Sequence, residues 1–241
     1  MSENVPHPSE RLAVSRRNVL LGGLAGAAGM LSAIREARAQ QRGLFPITGD
    51  DGQPVMNYRI PAELTAFKLP GILWVGPRNA DVILFEFFDY NCPWCLKAEN
   101  DVQGLLKSER NLRLGLINNA ILSVGSYQAA RVQQSVLRLY GPGKALEFHK
   151  RMFRRRGRKD GLSALAVAKA MRLDRSAVEK SGDSETVGNV VLQQTRHAAS
   201  LAFNATPSFV LNGVGLLGYP GRRALTQMIA SVRKCDEIVC K

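Results

Sequence analysis

Two cysteines, Cys92 and Cys95, are the residues best equipped for chemistry, and they stand in the order Cys-Pro-Trp-Cys. Ahead of them, Asp81 to Asn91 reads Asp-Val-Ile-Leu-Phe-Glu-Phe-Phe-Asp-Tyr-Asn, an apolar segment suited to a buried strand that ends in a polar turn. Pro93 fits the first position of a helix, where its missing N–H removes nothing and its φ is already helical. Cys92 then falls at the helix N-cap, where free N–H groups and the positive end of the helix dipole favour a thiolate and lower its pKa. A stabilised thiolate is both a nucleophile and a leaving group, as thiol–disulfide exchange requires. Cys95, one helical turn on and less exposed, is within reach to close a disulfide with Cys92 and release a bound partner.

Glu86 lies in the middle of the apolar run. An ionised carboxylate buried there would be costly, so a raised pKa and a role in relaying the Cys95 proton are expected. The alternative is an edge carboxylate facing solvent. The remaining cysteines, Cys235 and Cys240, make the count even. Of the three pairings open to four cysteines, local spacing favours Cys92–Cys95 with Cys235–Cys240, the second as a structural clip on the tail. Paired cysteines also bind zinc elsewhere, but a C-x-x-C beside a strand-helix-strand pattern reads as redox, and neither metal nor cofactor is expected. His149 and His197 fall in helical stretches without ligand spacing and read as ordinary helix residues.

Elements must position these groups. The central strand is followed by a helix over Pro93 to Ser108 and an alternating strand over Asn111 to Ile117, a crossover unit with a parallel sheet. From Ser126 to Phe203 the pattern is helical. Segments run Ser126 to Tyr140, Lys144 to Arg156 after Gly141-Pro142-Gly143, Leu162 to Met171, a short helix opened by Asp174 or Ser176, and Glu185 to Leu201. Ser208 to Leu211 and Val214 to Leu217 flank Asn212-Gly213, a hairpin signal, and Arg222 to Lys234 reads as a final helix. Earlier in the chain, Ile47 to Pro54 reads as a loop or mobile linker. Leu69 to Val75 reads as a strand beside the central one, and Val55 to Lys68 stays unassigned.

The N-terminus carries Ser15-Arg16-Arg17-Asn18-Val19-Leu20, a Gly/Ala/Leu-rich run to Ile34, and Ala37-Arg38-Ala39. Residues 1–39 therefore read as a twin-arginine export signal cleaved before Gln40, delivering the protein to the periplasm. The run is shorter than the roughly 20 residues that span a bilayer, which favours cleavage over a permanent anchor. Losing five basic and three acidic residues with the signal lowers the formal charge from +13 to +11. Much of the excess lies in Lys150-Arg151-Met152-Phe153-Arg154-Arg155-Arg156-Gly157-Arg158-Lys159. Such a run could meet nucleic acid, anionic lipid or acidic protein. No aromatic stacking platform or nucleic-acid motif accompanies it, so a solvated helix end is the favoured reading and no nucleic-acid partner is expected.

Over about residues 80–234 the chain resembles the DsbA-like branch of the thioredoxin superfamily, exported thiol–disulfide oxidoreductases with a helical domain inserted in a thioredoxin fold. Glu86-Phe87-Phe88-Asp89-Tyr90-Asn91-Cys92-Pro93-Trp94-Cys95 is similar to the family's active-site segment, and Ala205-Thr206-Pro207-Ser208-Phe209-Val210 to its cis-proline loop and following strand. The length of the insertion and the terminal hairpin and helix match as well. The resemblance implies an α/β, thioredoxin-like fold with residues 81–125 and 204–241 as the thioredoxin-like domain, 126–203 as the helical insert and 40–80 as an N-terminal extension or linker with an edge strand. It implies Cys92 as the attacking and Cys95 as the resolving cysteine, with Glu86 as the relay. Pro93, Trp94, Thr206 and Pro207 would form the substrate-binding wall, Pro207 in cis and Thr206 offering backbone hydrogen bonds to an extended substrate. A trans proline opening a strand is the alternative. Reduced or unfolded exported proteins would be substrates, and a membrane or soluble redox partner would reset the pair. Pro93-Trp94 lacks the histidine of DsbA itself, and a threonine before the proline is closer to the isomerase branch. Residues 40–80 are short for the oligomerisation module of the isomerases, which leaves a monomeric dithiol oxidase as the leading reading. An isomerase or reductase, or a non-catalytic binding module on the same fold, are the alternatives.

Overall fold

The computed structural model describes residues 44–64 and 68–240; the twin-arginine segment and its cleavage site lie outside them. The six strands are β1 (Met56–Arg59), β2 (Leu73–Val75), β3 (Val82–Phe88), β4 (Leu112–Asn118), β5 (Ser208–Leu211) and β6 (Val214–Leu217). They form one sheet in the order β1-β6-β5-β3-β4-β2. The long apolar run β3 takes an interior place because it is hydrophobic on both faces. It pairs in parallel with β4 through the crossover helix α1 (Pro93–Ser108), and antiparallel with β5. Period-two alternation puts Val82, Leu84, Glu86 and Phe88 on one face. Leu84 and Phe88 join Cys95, Ala98, Val102 and Leu105 of α1 in the larger core cluster, whereas Phe85 and Phe87 join a smaller cluster on the other face with Ala198, Leu201 and Phe203. The hairpin between β5 and β6 turns at Asn212 (φ 48°) and Gly213 (φ 70°), both left-handed as a tight two-residue connection demands.

Between β4 and β5 the chain runs through α2 (Val124–Arg154), α3 (Gly161–Ala170), α4 (Arg175–Gly182) and α5 (Glu185–Ser200), and after β6 it ends in α6 (Arg222–Cys235). The Gly141-Pro142-Gly143 break expected from sequence is a kink within α2. Gly141 sits at φ 79°, ψ 178°, and the helix resumes beyond it. Side-chain caps start α3, α4 and α5: Asp160 accepts from Ser163 N, Asp174 from Ala177 N and Ser184 from Val187 N. Among the described residues no helix is long and apolar enough to cross a membrane.

Two expectations need correction. Only Leu73–Val75 of the run Leu69 to Val75 is a strand, and it pairs antiparallel with β4 at the sheet edge instead of lying beside β3. Both flanks of β3 are already taken, and Pro70-Gly71 breaks the run. Gly71 has φ 71°, and the carbonyls of Pro70 and Gly71 accept from Gln194 and Gln134 of the helical insert. The stretch from Ile47 to Pro54 is a loop, as one of its two readings has it, but a docked one and not a mobile linker. Ile47 is buried in the core, and Asp50 accepts from the N–H groups of Arg223 and Ala224 at the start of α6. Beyond it, β1 pairs antiparallel with β6 along the opposite sheet edge. Buried Asn57 ties β1 to Phe45 and Val55 with three hydrogen bonds of 2.8–2.9 Å.

Candidate active site

At the end of β3 the turn Asp89–Asn91 sets Cys92. The Asp89 carbonyl accepts from Cys92 N (3.1 Å). Its carboxylate accepts from Asn91 N (2.8 Å) and, across the chain, from Leu122 N (3.0 Å). Cys92 is the N-cap of α1 with extended φ/ψ (−82°, 122°), and Pro93 follows at the first helical position, as its fixed φ predicts. Neither cysteine is in a disulfide; Cys92 is 6% exposed and Cys95 fully buried. The Cys92 S–H points at the Thr206 carbonyl, 3.0 Å away, and the Thr206–Pro207 peptide is cis. Thr206 faces the sulfur with two groups of opposite sense: the carbonyl accepts from the thiol, whereas its hydroxyl, buried and without a hydrogen-bond partner among the described residues, can donate to the thiolate.

The two thiols are driven apart. Cys92 is lowered from 9.0 to about 6, first by a hydrogen bond from the Cys95 thiol. Burial opposes this, while the Thr206 side chain and then the backbone N–H groups of Cys95 and Trp94 add to it. Cys95 is pushed far above the ordinary thiol range, first by burial, then by its role as donor to Cys92, then by the charges of Glu86 and Cys92. The helix-end N–H groups that sequence reasoning put first thus contribute last, and the neighbouring thiol leads. The result is one thiolate and one thiol at neutral pH.

Glu86 is 1% exposed, so it is an interior acid and not an edge carboxylate. Burial raises its pKa well above 4.5, with Glu99 and Cys92 adding to the effect, and its Oε2 has no hydrogen-bond partner among the described residues. Glu99 belongs to α1 four residues after Cys95, hence on the same helix face. Its Oε2 lies 3.2 Å from His149 Nε2, while His149 Nδ1 lies 3.2 Å from the Tyr90 hydroxyl. All three side chains are buried, and Phe88 and Phe153 meet the imidazole edge-on at 4.7 and 4.9 Å. His149 is therefore not an ordinary helix residue but the link between the active-site turn, α1 and α2. The spacing Cys95 to Glu99 was a sequence signal for half of this cluster; nothing local in the sequence joined His149 to it. His197 is half-buried on α5, and burial lowers its pKa.

Trp94 is 58% exposed with the Lys97 ammonium 5.4 Å from its ring centre, and Pro93 is exposed beside it. The structure therefore gathers Cys92, Cys95, Glu86, Pro93, Trp94, Thr206 and Pro207 at one end of β3 and β5. Cys235 and Cys240 form a separate disulfide, Cα atoms 6.0 Å apart, with Ile238 between them buried in the core. Asp236 beside it accepts from Asn212 in the hairpin turn, at the opposite end of β5 from Thr206.

A family model described as thioredoxin matches residues 68–229, more than half of the chain, a span that includes Glu86, Cys92, Cys95, Thr206 and Pro207. The chain belongs to the thioredoxin family. Among solved structures, a thioredoxin-like oxidoreductase from Silicibacter pomeroyi is 30% identical, covering 73% of this chain and 99% of its own with a TM-score of 0.66. The thiol-disulfide exchange protein alpha-DsbA2 from Wolbachia pipientis is 20% identical, covering 66% and 86% with a TM-score of 0.61. BdbD from Bacillus subtilis is 19% identical, covering 76% and 100% with a TM-score of 0.62. At those identities the last two speak for the fold alone, a thioredoxin fold with inserted helices. No curated protein matches the sequence.

Proposed function

We propose that the protein is an exported thiol–disulfide oxidoreductase that oxidises dithiols in exported polypeptides, acting as a monomer. The observation that carries this is the Cys92 sulfur at the cap of α1, 3.0 Å from the Thr206 carbonyl next to a cis proline, with buried Cys95 one turn behind. In the oxidised protein a substrate thiolate attacks Cys92 Sγ. The Cys92–Cys95 bond breaks, and Cys95 leaves and takes up a proton, for which Glu86 is the nearby buried source. A second substrate thiolate then attacks the substrate sulfur of the mixed disulfide, and Cys92 leaves as a thiolate. Two electrons pass from substrate to the Cys92–Cys95 pair, and a separate redox partner must remove them.

The leaving group supports the oxidising direction. With a Cys92 pKa of about 6 instead of 9.0, the dithiol form is favoured about tenfold at pH 7, about 30 mV towards an oxidant. The twin-arginine signal read in residues 1–39 and the Cys235–Cys240 disulfide fit an oxidising compartment. Pro93, Trp94, Thr206 and Pro207 would receive the substrate chain around the sulfur. The test is to mix oxidised protein with a reduced two-cysteine polypeptide and count thiols. Wild type should consume two thiols per protein and Cys92→Ser none; equal consumption by both would reject the assignment.

A further inference from the structure

Asn91, the residue just before Cys92, fastens a second segment to the site. Its Oδ1 accepts from Lys159 N (2.8 Å), and its Nδ2 donates to Lys159 O (2.7 Å) and to Ser126 Oγ (3.0 Å). The anchored segment is the basic stretch that follows α2. Arg155, Arg156 and Arg158 are exposed, and with Lys159 they make four cations in five residues. None of the four has an ion pair among the described residues. The adjacent acid, Asp160, feels Arg158 and Arg155 but is engaged as the cap of α3. Lys159 is held below its ordinary range by burial and then by the charge of Arg155. Large exposed apolar side chains lie on the segments joined here: Trp94 after Cys92, Leu122, whose N–H donates to Asp89, Val124 (74% exposed) two residues before Ser126, and Leu162 (73% exposed) two after Asp160. A free-standing helix end would not need two backbone hydrogen bonds from the neighbour of the reactive cysteine.

The geometry points to a docking surface for acidic polypeptide: a substrate cysteine flanked by Asp or Glu and a large apolar residue, with its acids on Arg155, Arg156, Arg158 and Lys159 and its apolar side chain among Trp94, Leu122, Val124 and Leu162. This rests on the exchange reading above and adds selectivity to it. The anionic flank is drawn to the basic loop and delivers its thiolate to Cys92. Opposite charge in such a rim acts mainly on the association rate, by 10-fold to 1,000-fold in favourable cases, and salt removes it. The electron balance is that of the exchange itself, two electrons from the peptide dithiol to Cys92–Cys95, so no further reagent is required.

The test uses two reduced two-cysteine peptides identical except for Asp/Glu or Lys/Arg flanks, with dithiothreitol as an uncharged dithiol that reads the cysteine pair alone. Oxidised full-length mature protein should react with the acidic peptide at least about tenfold faster at low salt. The gap should close near 1 M salt, where screening acts within about 3 Å. Arg155→Ala/Arg156→Ala/Arg158→Ala should abolish the preference, whereas Lys169→Ala/Lys180→Ala/Arg196→Ala, the same charge change on exposed positions of other helices, should retain it. Equal rates for the two peptides, or a preference lost equally in both triple variants, would overturn the proposal. So would loop-dependent binding to phosphatidylglycerol vesicles without peptide preference, which would make the loop a membrane contact. Failure to react with dithiothreitol is a distinct result that would bring down the exchange reading itself, and this proposal with it.

Discussion

Replacing Cys95 by alanine should raise the pKa of Cys92, because the Cys95 thiol is the largest single stabiliser of the Cys92 thiolate. A hydrogen bond to a charged group contributes about 1.5–3 kcal/mol. At 1.36 kcal/mol per unit that corresponds to about 1–2 units, the lower end being expected as water enters the space left behind. The wild-type midpoint of about 6 should therefore move to about 7–8 in Cys95→Ala, while Cys95→Ser, which keeps an O–H donor, should stay close to wild type. Both midpoints can be read from ultraviolet thiolate absorbance against pH and checked by the rate of alkylation. The sign for stability follows. A thiol whose folded pKa lies below its unfolded value adds stability at high pH and loses it as pH falls through the folded pKa. Between about pH 6 and pH 9 the reduced wild type should accordingly gain stability relative to Cys92→Ala as pH rises; Cys95, raised in the fold, contributes no slope in that window. A wild-type midpoint near 9, or a midpoint unmoved by Cys95→Ala, would refute the reasoning; the second result would return the effect to the helix end.

Glu86→Gln should stabilise the protein increasingly as pH rises above 4.5, since a buried acid with a raised pKa loses stability over that range; denaturant titrations at pH 4.5 and 8 measure it. The same variant should slow reduction of the oxidised pair, seen in stopped-flow with dithiothreitol. Thr206→Val removes the buried hydroxyl with little change of shape and should raise the Cys92 midpoint by less than Cys95→Ala does, tracked by the same absorbance titration. His149→Phe leaves Tyr90 and Glu99 buried without their partner and should cost about 2–5 kcal/mol in unfolding experiments. A double-mutant cycle with Glu99→Leu should be strongly non-additive.

What sequence made legible was what short-range chemistry dictates. Pro93 after Cys92 marked the start of α1, and Asn212-Gly213 marked a hairpin because few other residue pairs accept two positive φ values. The otherwise apolar run of β3 announced an interior strand, and Glu86 stood out inside it. Edge strands were harder. Strand β1 is four residues long, carries a buried Asn57 and finds its partner β6 some 160 residues later, so its pairing left no local trace. Apolar composition suggested β2, yet which flank it joins is decided by the crossover topology around β3. In the site, the motif disclosed Cys92 and Cys95, and resemblance supplied the cis proline at Pro207. The cluster Tyr90–His149–Glu99 draws on three distant segments, and each residue alone is unremarkable for its surroundings. The cause of the low Cys92 pKa was misread for a related reason: helix position is written in sequence, but the direction of the Cys95 thiol is not.

The central claim, that Cys92 is the exchanging sulfur and Cys95 resolves it, is tested most directly by the intermediate it requires. Cys95→Ala, reduced and mixed with a peptide disulfide, should form a mixed disulfide that persists, and mass spectrometry should place the peptide on Cys92 alone, with wild type releasing it. An adduct absent from Cys92, or released as fast by Cys95→Ala as by wild type, would contradict the account.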